Sequence, residues 1–131
     1  MNVAVIGVGA ISKMHLAALC ECGQNITALC DILPEKCYAA KERFGLRCNV
    51  YDDYLQMLQS ERLDIVHICT PHYLHAEMIC AALARHIHVL CEKPLAINEE
   101  QLRQIEERVR HTSAQLIASG FSHNTCMCRA N

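Results

Sequence analysis

Short apolar runs alternate with segments of helical periodicity along the whole 131-residue chain. The runs predict buried strands, and apolar residues at every third or fourth position predict amphipathic helices. Strands that alternate with helices form right-handed βαβ units, which makes neighbouring strands parallel. We therefore predict an α/β fold, a doubly wound and mostly parallel sheet with helices on both faces. The predicted strands are 2–6, 26–30, 48–51, 63–69, 87–91 and 116–119, and the predicted helices are 11–22, 34–44, a short one ending at 58, 73–85 and 98–111.

The turn after the first predicted strand reads Gly7-Val8-Gly9-Ala10-Ile11-Ser12. In a dinucleotide-binding turn, the first glycine permits the bend and the second lets the backbone approach a pyrophosphate. The third position must be small, and here Ser12 replaces the usual glycine. The N-terminus of the following helix offers unpaired N–H groups to phosphate oxygens. The pattern predicts a phosphate site, and a plain strand-to-helix turn is the alternative.

Asp31 ends the second predicted strand, about twenty residues after this turn, where an acidic residue can bind the ribose hydroxyls of a dinucleotide. Its negative charge would repel a 2′-phosphate, and the next residues, Ile32 and Leu33, supply no positive charge. Lys36 is close enough in sequence to keep NADP open. We predict that NAD is preferred to NADP.

Ten cysteines are unusual for a chain of this length. In a secreted protein they would indicate a disulfide framework. This N-terminus lacks a secretory pattern, and most of the cysteines fall within apolar periodic segments. We predict reduced structural thiols and a cytoplasmic protein. Cys30, Cys69 and Cys91 lie at the carboxyl ends of predicted strands.

A zinc site is the alternative role for these cysteines. Cys20 and Cys22 are two residues apart on a predicted helix, so they do not share a face. His123, Cys126 and Cys128 form a short C-terminal cluster, but zinc sites need four converging ligands. We predict no metal site.

Charge and hydropathy exclude two classes of partner. The net charge is −2, and the basic residues are scattered, so we expect no nucleic acid partner. No apolar run approaches the roughly 18 residues that a membrane span requires, so we expect no membrane partner.

Two further motifs follow the fourth and fifth predicted strands: Cys69-Thr70-Pro71-His72-Tyr73-Leu74-His75 and Cys91-Glu92-Lys93-Pro94-Leu95-Ala96. Together with the glycine turn, they resemble the glucose–fructose oxidoreductase, inositol dehydrogenase and rhizopine-catabolism (Gfo/Idh/MocA) family of nicotinamide oxidoreductases. The resemblance runs from Asn2 to about Gly120. It implies a Rossmann domain that binds NAD(P) and belongs to a dehydrogenase of a sugar or cyclic polyol.

The resemblance also implies roles for individual residues. Lys93 would be the catalytic lysine, and a nearby nicotinamide cation or partial desolvation could lower the pKa of its ammonium group toward a useful range. Pro94 would fix the turn around it, while His15 is expected to be a satisfied helix histidine. The implied cofactor-binding residues are Gly7, Gly9, Ala10, Ile11, Asp31, Cys69, Thr70, Pro71, His72, His75, Glu92, Lys93 and Pro94.

The chain departs from the family in length, because the family continues into a second α/β domain that forms the substrate pocket. Residues 1–121 would be the Rossmann domain, and 122–131 the start of the connection to that domain. The 131 residues alone are expected to bind cofactor but turn over little, and the full-length form is expected to be a homo-oligomer. The alternatives are a non-catalytic nucleotide-binding or sensor module and a subunit that needs a partner chain. His86 stands where the family usually has a C-cap glycine.

Overall fold

The computed structural model describes residues 1–119 and the backbone of 127–128. Helices and strands alternate as the sequence predicts, and most of their boundaries lie within one or two residues of the predicted ones. The strands are β1 (Asn2–Ile6), β2 (Asn25–Cys30), β3 (Asn49–Tyr51), β4 (Ile65–Ile68), β5 (His88–Glu92), β6 (Leu116–Ser119) and β7 (Met127–Cys128). The helices are α1 (Ser12–Glu21), α2 (Pro34–Phe44), α3 (Tyr54–Ser60), α4 (His75–Ala84) and α5 (Glu99–Arg110), and a 3-10 turn covers His72–Leu74.

All strands belong to one sheet in the order β3-β2-β1-β4-β5-β6-β7. The first six are parallel, and β7 pairs antiparallel with β6 at the edge. The strand order reverses between β1 and β4, because β2 and β3 extend to one side of β1 and the later strands to the other. Ligands of open α/β sheets bind at such a switch point, outside the carboxyl ends of the strands. The predicted α/β, Rossmann-like architecture is confirmed.

The sheet has a separate apolar core on each face. Ala4 and Ile6 of β1 pack with residues of α3, α4 and α5, whereas Val3 and Val5 pack with residues of α1 and α2. Alternate side chains of a strand point to opposite faces, so β1 contributes to both cores. Because α1 and α2 lie over β1, β2 and β3, part of the same face of β5 stays accessible, and Leu90 is only partly buried there.

Capping signals set several helix ends. Asp53 Oδ1 accepts a hydrogen bond from the Leu55 N–H at 3.0 Å, and Asn98 Oδ1 accepts one from the Gln101 N–H at 2.9 Å. Each contact satisfies a donor that the first turn of a helix leaves unpaired. Gly45 ends α2 with a φ of 63°, the left-handed conformation in which glycine carries no penalty.

His86 also has a left-handed backbone, with a φ of 58°. A side chain in that conformation costs about 1 kcal/mol. The histidine ring offsets this cost, because its Nδ1 accepts a hydrogen bond from the Ser113 N–H at 3.2 Å. The ring thus ties the end of α4 to the segment before β6, a contact that glycine could not make.

The eight cysteines whose side chains are described are free thiols, as predicted. Burial raises the pKa of Cys30 and of Cys69 to about 12, so these thiols stay protonated. Among the described residues, no group of His, Cys, Asp and Glu is arranged to hold a metal ion. The predicted cluster of His123, Cys126 and Cys128 lies outside the described side chains. No described helix is both long and apolar enough to cross a membrane.

Candidate functional site

The glycine turn lies at the carboxyl end of β1, against the loop that follows β4. Gly7 has a φ of 88°, and a Cβ added there would lie 2.8 Å from the backbone carbon of Cys69 and from the nitrogen of Thr70. A Cβ added at Gly9 would meet nothing within 4 Å. Gly7 is therefore required by the fold itself, while Gly9 leaves open space above the start of α1.

Ser12 explains how the degenerate third position of the motif is tolerated. The residue is fully buried, and its hydroxyl donates a hydrogen bond of 2.6 Å to the carbonyl oxygen of Gly9. A small side chain is needed at this point of helix and strand packing. Serine meets that need and also braces the turn through its hydroxyl.

Asp31 follows β2, beside the glycine turn. Its Oδ2 accepts a hydrogen bond from the Val8 N–H at 2.8 Å, and its Oδ1 accepts one from the Leu33 N–H at 2.9 Å. A carboxylate has about four acceptor sites, so these two bonds orient it and leave capacity for further donors. The aspartate is only half-buried, and a hydroxyl-bearing ligand can reach it.

An open cleft of about 410 Å³ lies between the loops that follow β1, β2 and β4. Leu74 and Met78 supply apolar walls, and the polar side chains of Asp52 and Lys36 also line it. Sequence reasoning had not assigned Asp52 or Tyr54 to this site. Of the residues predicted to bind cofactor, those that line the cleft are Gly7, Gly9, Asp31, Cys69, Thr70 and Pro71.

His75 is enclosed by protein at the start of α4, with 1% of its surface exposed. Its Nε2 lies 2.8 Å from the carbonyl oxygen of Thr70, and its Nδ1 lies 2.7 Å from that of Pro94. Carbonyl oxygens only accept, so a ring nitrogen that carries a proton is the donor in its contact. This side chain lies between two loops and contacts both, while its predicted cofactor contact stays a prediction. His72, in the adjoining 3-10 turn, is exposed.

A second open cleft, of about 460 Å³, lies between α1 and the accessible face of β4, β5 and β6. Ile11 and Glu92, both predicted to bind cofactor, line it together with His15. Glu92 Oε1 lies 2.5 Å from His15 Nε2 and accepts a hydrogen bond from the Ser119 hydroxyl at 3.2 Å. His15 is thus a satisfied histidine, as expected, although its partner is one of the predicted site residues.

Lys93 and Pro94 follow β5 and are exposed, joined by a cis peptide bond. Ala10 is exposed on the glycine turn. The structure therefore brings Gly9, Asp31 and the loop after β4 around one cleft, while Ile11 and Glu92 lie in the second cleft, beside α1.

A dinucleotide fits this arrangement. The open space at Gly9 admits phosphate oxygens to the start of α1, whose unpaired N–H groups and positive dipole end favour an anion. Asp31 presents an oriented carboxylate in the cleft beside that turn. The flat face of an adenine base can lie against Leu74 and Met78.

The known proteins that this chain resembles in sequence are dehydrogenases, which is consistent with a dinucleotide site. The chain is 33% identical over 125 residues to D-glucoside 3-dehydrogenase of Escherichia coli, a match that covers 94% of this chain and 35% of that protein. It is 31% identical over 122 residues to inositol 2-dehydrogenase/D-chiro-inositol 3-dehydrogenase of Lactiplantibacillus plantarum, with coverages of 92% and 35%. The chain thus spans little more than a third of the length of these relatives.

The fold is also similar to that of the WlbA dehydrogenase from Bordetella pertussis, whose crystal structure is a complex with NADH and UDP-GlcNAcA. The TM-score is 0.82 at 26% identity, over 90% of this chain and 36% of that one. A family model described as an oxidoreductase family with an NAD-binding Rossmann fold matches residues 1–120. The chain therefore belongs to the Gfo/Idh/MocA oxidoreductase family, and its residues 1–120 correspond to the NAD-binding Rossmann part of that family.

Proposed function

We propose that this chain is the cofactor-binding part of an NAD-dependent dehydrogenase. The observation that carries the proposal is the Asp31 carboxylate, which two backbone N–H groups orient beside the glycine turn. Its remaining acceptor capacity suits the two hydroxyls of an adenosine ribose. Asp52 adds a second carboxylate to the same cleft, and both would repel a 2′-phosphate, although Lys36 also lines the cleft.

The proposed reaction is transfer of hydride between the nicotinamide cofactor and a hydroxyl-bearing carbon of a sugar or cyclic polyol. Support for the substrate class comes from the relatives, which are named as inositol and glucoside dehydrogenases. NAD supplies the hydride acceptor when it is bound. The chain's own residues would hold the pyrophosphate at Gly9, the adenosine ribose at Asp31 and the nicotinamide ribose at Glu92.

Asp31→Asn should weaken NADH binding about tenfold and change NADPH binding much less. The substitution replaces charge-assisted hydrogen bonds by neutral ones, a difference of about 1.4 kcal/mol, and removes the charge that repels a 2′-phosphate. Fluorescence titration of both dinucleotides gives the two affinities.

The matched control for Asp31→Asn is Glu106→Gln, which removes one carboxylate from an exposed site on α5. It should leave both affinities within about twofold. Tighter binding of NADPH than of NADH by the unmodified chain would contradict the proposed preference for NAD.

Lys93 is proposed to move the proton of the substrate hydroxyl. Positioned acids and bases contribute about 10²- to 10⁴-fold to rates, so in the full-length form Lys93→Ala should slow the reduction of NAD by myo-inositol at least about 100-fold. Absorbance of NADH follows the rate. Lys93→Arg should also be inactive, because arginine keeps the positive charge but cannot give up its proton.

NADH binding should survive both Lys93 substitutions within about threefold, since the adenosine and pyrophosphate contacts are unchanged. Turnover by Lys93→Ala at the rate of the unmodified protein would show that Lys93 does not move the proton.

A further inference from the structure

Glu92 of β5 is held by two side chains from other elements in the cleft beside α1. Its Oε1 accepts a hydrogen bond of 2.5 Å from Nε2 of His15 in α1 and one of 3.2 Å from the hydroxyl of Ser119 in β6. A carboxylate has about four acceptor sites, so these two donors orient the group and leave capacity for a further donor. The side chain of Glu92 is 18% exposed and lines the cleft, so a ligand there can reach it.

The ring of His15 is in turn fixed by His67, a buried residue of β4. The two rings meet edge to face, with their centroids 5.1 Å apart and their Nδ1 atoms 2.9 Å apart. Burial lowers the pKa of His67 to about 4, so that ring is neutral at ordinary pH and its Nδ1 can either donate or accept. The side chain of His15 is only 9% exposed. Its position is therefore set by one contact with β4 and another with β5.

The contact between His15 and Glu92 also links two parts of the site. A glutamate side chain rotates about several single bonds, and a ligand that binds a mobile carboxylate loses affinity by ordering it. Contacts that already hold the carboxylate remove this loss before the ligand arrives. His15 lies in the first turns of α1, directly after the glycine turn, so it holds Glu92 relative to the proposed pyrophosphate site.

We propose that His15 is a positioning residue for the cofactor, which holds the Glu92 carboxylate in the orientation that binds the nicotinamide ribose, with Ser119 as a second donor. The inference rests on the proposed function, in which Glu92 binds that ribose. His15 then acts on the cofactor through Glu92. Its contribution is confined to the nicotinamide half, because the adenosine ribose and the pyrophosphate are held at Asp31 and Gly9.

The test compares two ligands that share the adenosine and the two phosphates. NADH carries the nicotinamide ribose and ADP does not, and calorimetric titration of the chain gives the dissociation constant of each. His15→Leu removes the donor to Glu92, so NADH affinity should fall about tenfold, the loss expected for about one hydrogen bond to a charged group. The affinity for ADP should stay within about twofold of that of the unmodified chain, which a general structural defect would not achieve.

Three further variants distinguish positioning from packing. His15→Gln supplies an amide that can both donate and accept, so NADH affinity should return to within about threefold of that of the unmodified chain. Ser119→Ala removes only the second donor and leaves the interior rings in place, and it should weaken NADH binding about threefold without changing ADP binding. Gln24→Leu is the matched control, because Gln24 lines the same cleft but contacts the α-amino group of Met1, and it should leave both affinities within about twofold.

A double variant tests whether His15 acts through Glu92. Glu92→Ala should itself weaken NADH binding at least about tenfold, and adding His15→Leu to it should cause no further loss, since the group that His15 orients is gone.

Two kinds of result separate the inference from the proposed function. Unchanged NADH affinity in His15→Leu, equal losses for NADH and ADP, or a full further loss in the double variant would overturn the inference and leave the proposed function intact. Failure of the unmodified chain to bind NADH would overturn both.

Discussion

Gly7→Ala should lower the free energy of unfolding by roughly 2–4 kcal/mol. Two effects add. The left-handed φ of 88° costs a side chain about 1 kcal/mol. A Cβ only 2.8 Å from the backbone after β4 also forces that loop to shift, which costs about 1–3 kcal/mol. The atoms nearest to that Cβ belong to the main chain of Cys69 and Thr70, so no flexible side chain can yield. Urea unfolding followed by circular dichroism measures the change.

Gly23→Ala is the matched control for Gly7→Ala. Gly23 has a similar φ of 67°, but a Cβ there meets nothing within 4 Å. Its substitution should therefore cost only the conformational part, about 1 kcal/mol. Equal losses in the two variants would show that the close approach of the loop after β4 is unimportant.

Gly9→Val should weaken NADH binding at least about 100-fold, equivalent to about 2.7 kcal/mol, while stability changes by less than about 1 kcal/mol. The protein itself leaves the space at Gly9 open, and its φ lies outside the left-handed region, so the fold tolerates a side chain. The proposed pyrophosphate needs that space, because it must approach the backbone. NADH fluorescence and urea unfolding give the two quantities separately.

Gly9→Ala adds a single methyl group and should produce a smaller loss of the same kind. The graded series separates exclusion of the ligand from general damage, since a Cβ at residue 9 meets no protein atom within 4 Å. Binding of NADH by Gly9→Val at the affinity of the unmodified chain would place the cofactor elsewhere.

The order and type of the described strands and helices were predictable because the signals are local. Asp53, Asn98 and Gly45 act on backbone groups within a few residues, and each marks an end of the helix beside it. The edge strand β7 was not predicted, since two residues are too few to establish an alternating pattern. The 3-10 turn at His72–Leu74 was likewise merged with the helix that follows it.

The arrangement of the site was less accessible from sequence, because it depends on contacts between distant segments. His15 meets Glu92 across 77 positions and His67 across 52. Periodicity shows that a residue faces the sheet, but it does not show which side chain lies opposite. One signal was present: His67 interrupts an otherwise apolar buried strand, and a buried polar group requires a partner.

The position of His75 has a mechanical consequence for the two loops that it contacts. The ring is anchored to the loop after β4 through Thr70 and to the loop after β5 through Pro94. Displacing either loop disturbs a contact of the ring that also touches the other, so the positions of the two loops are coupled. Thermal fluctuations of the two loops should therefore be correlated, and a ligand that restrains one loop should also restrain the other.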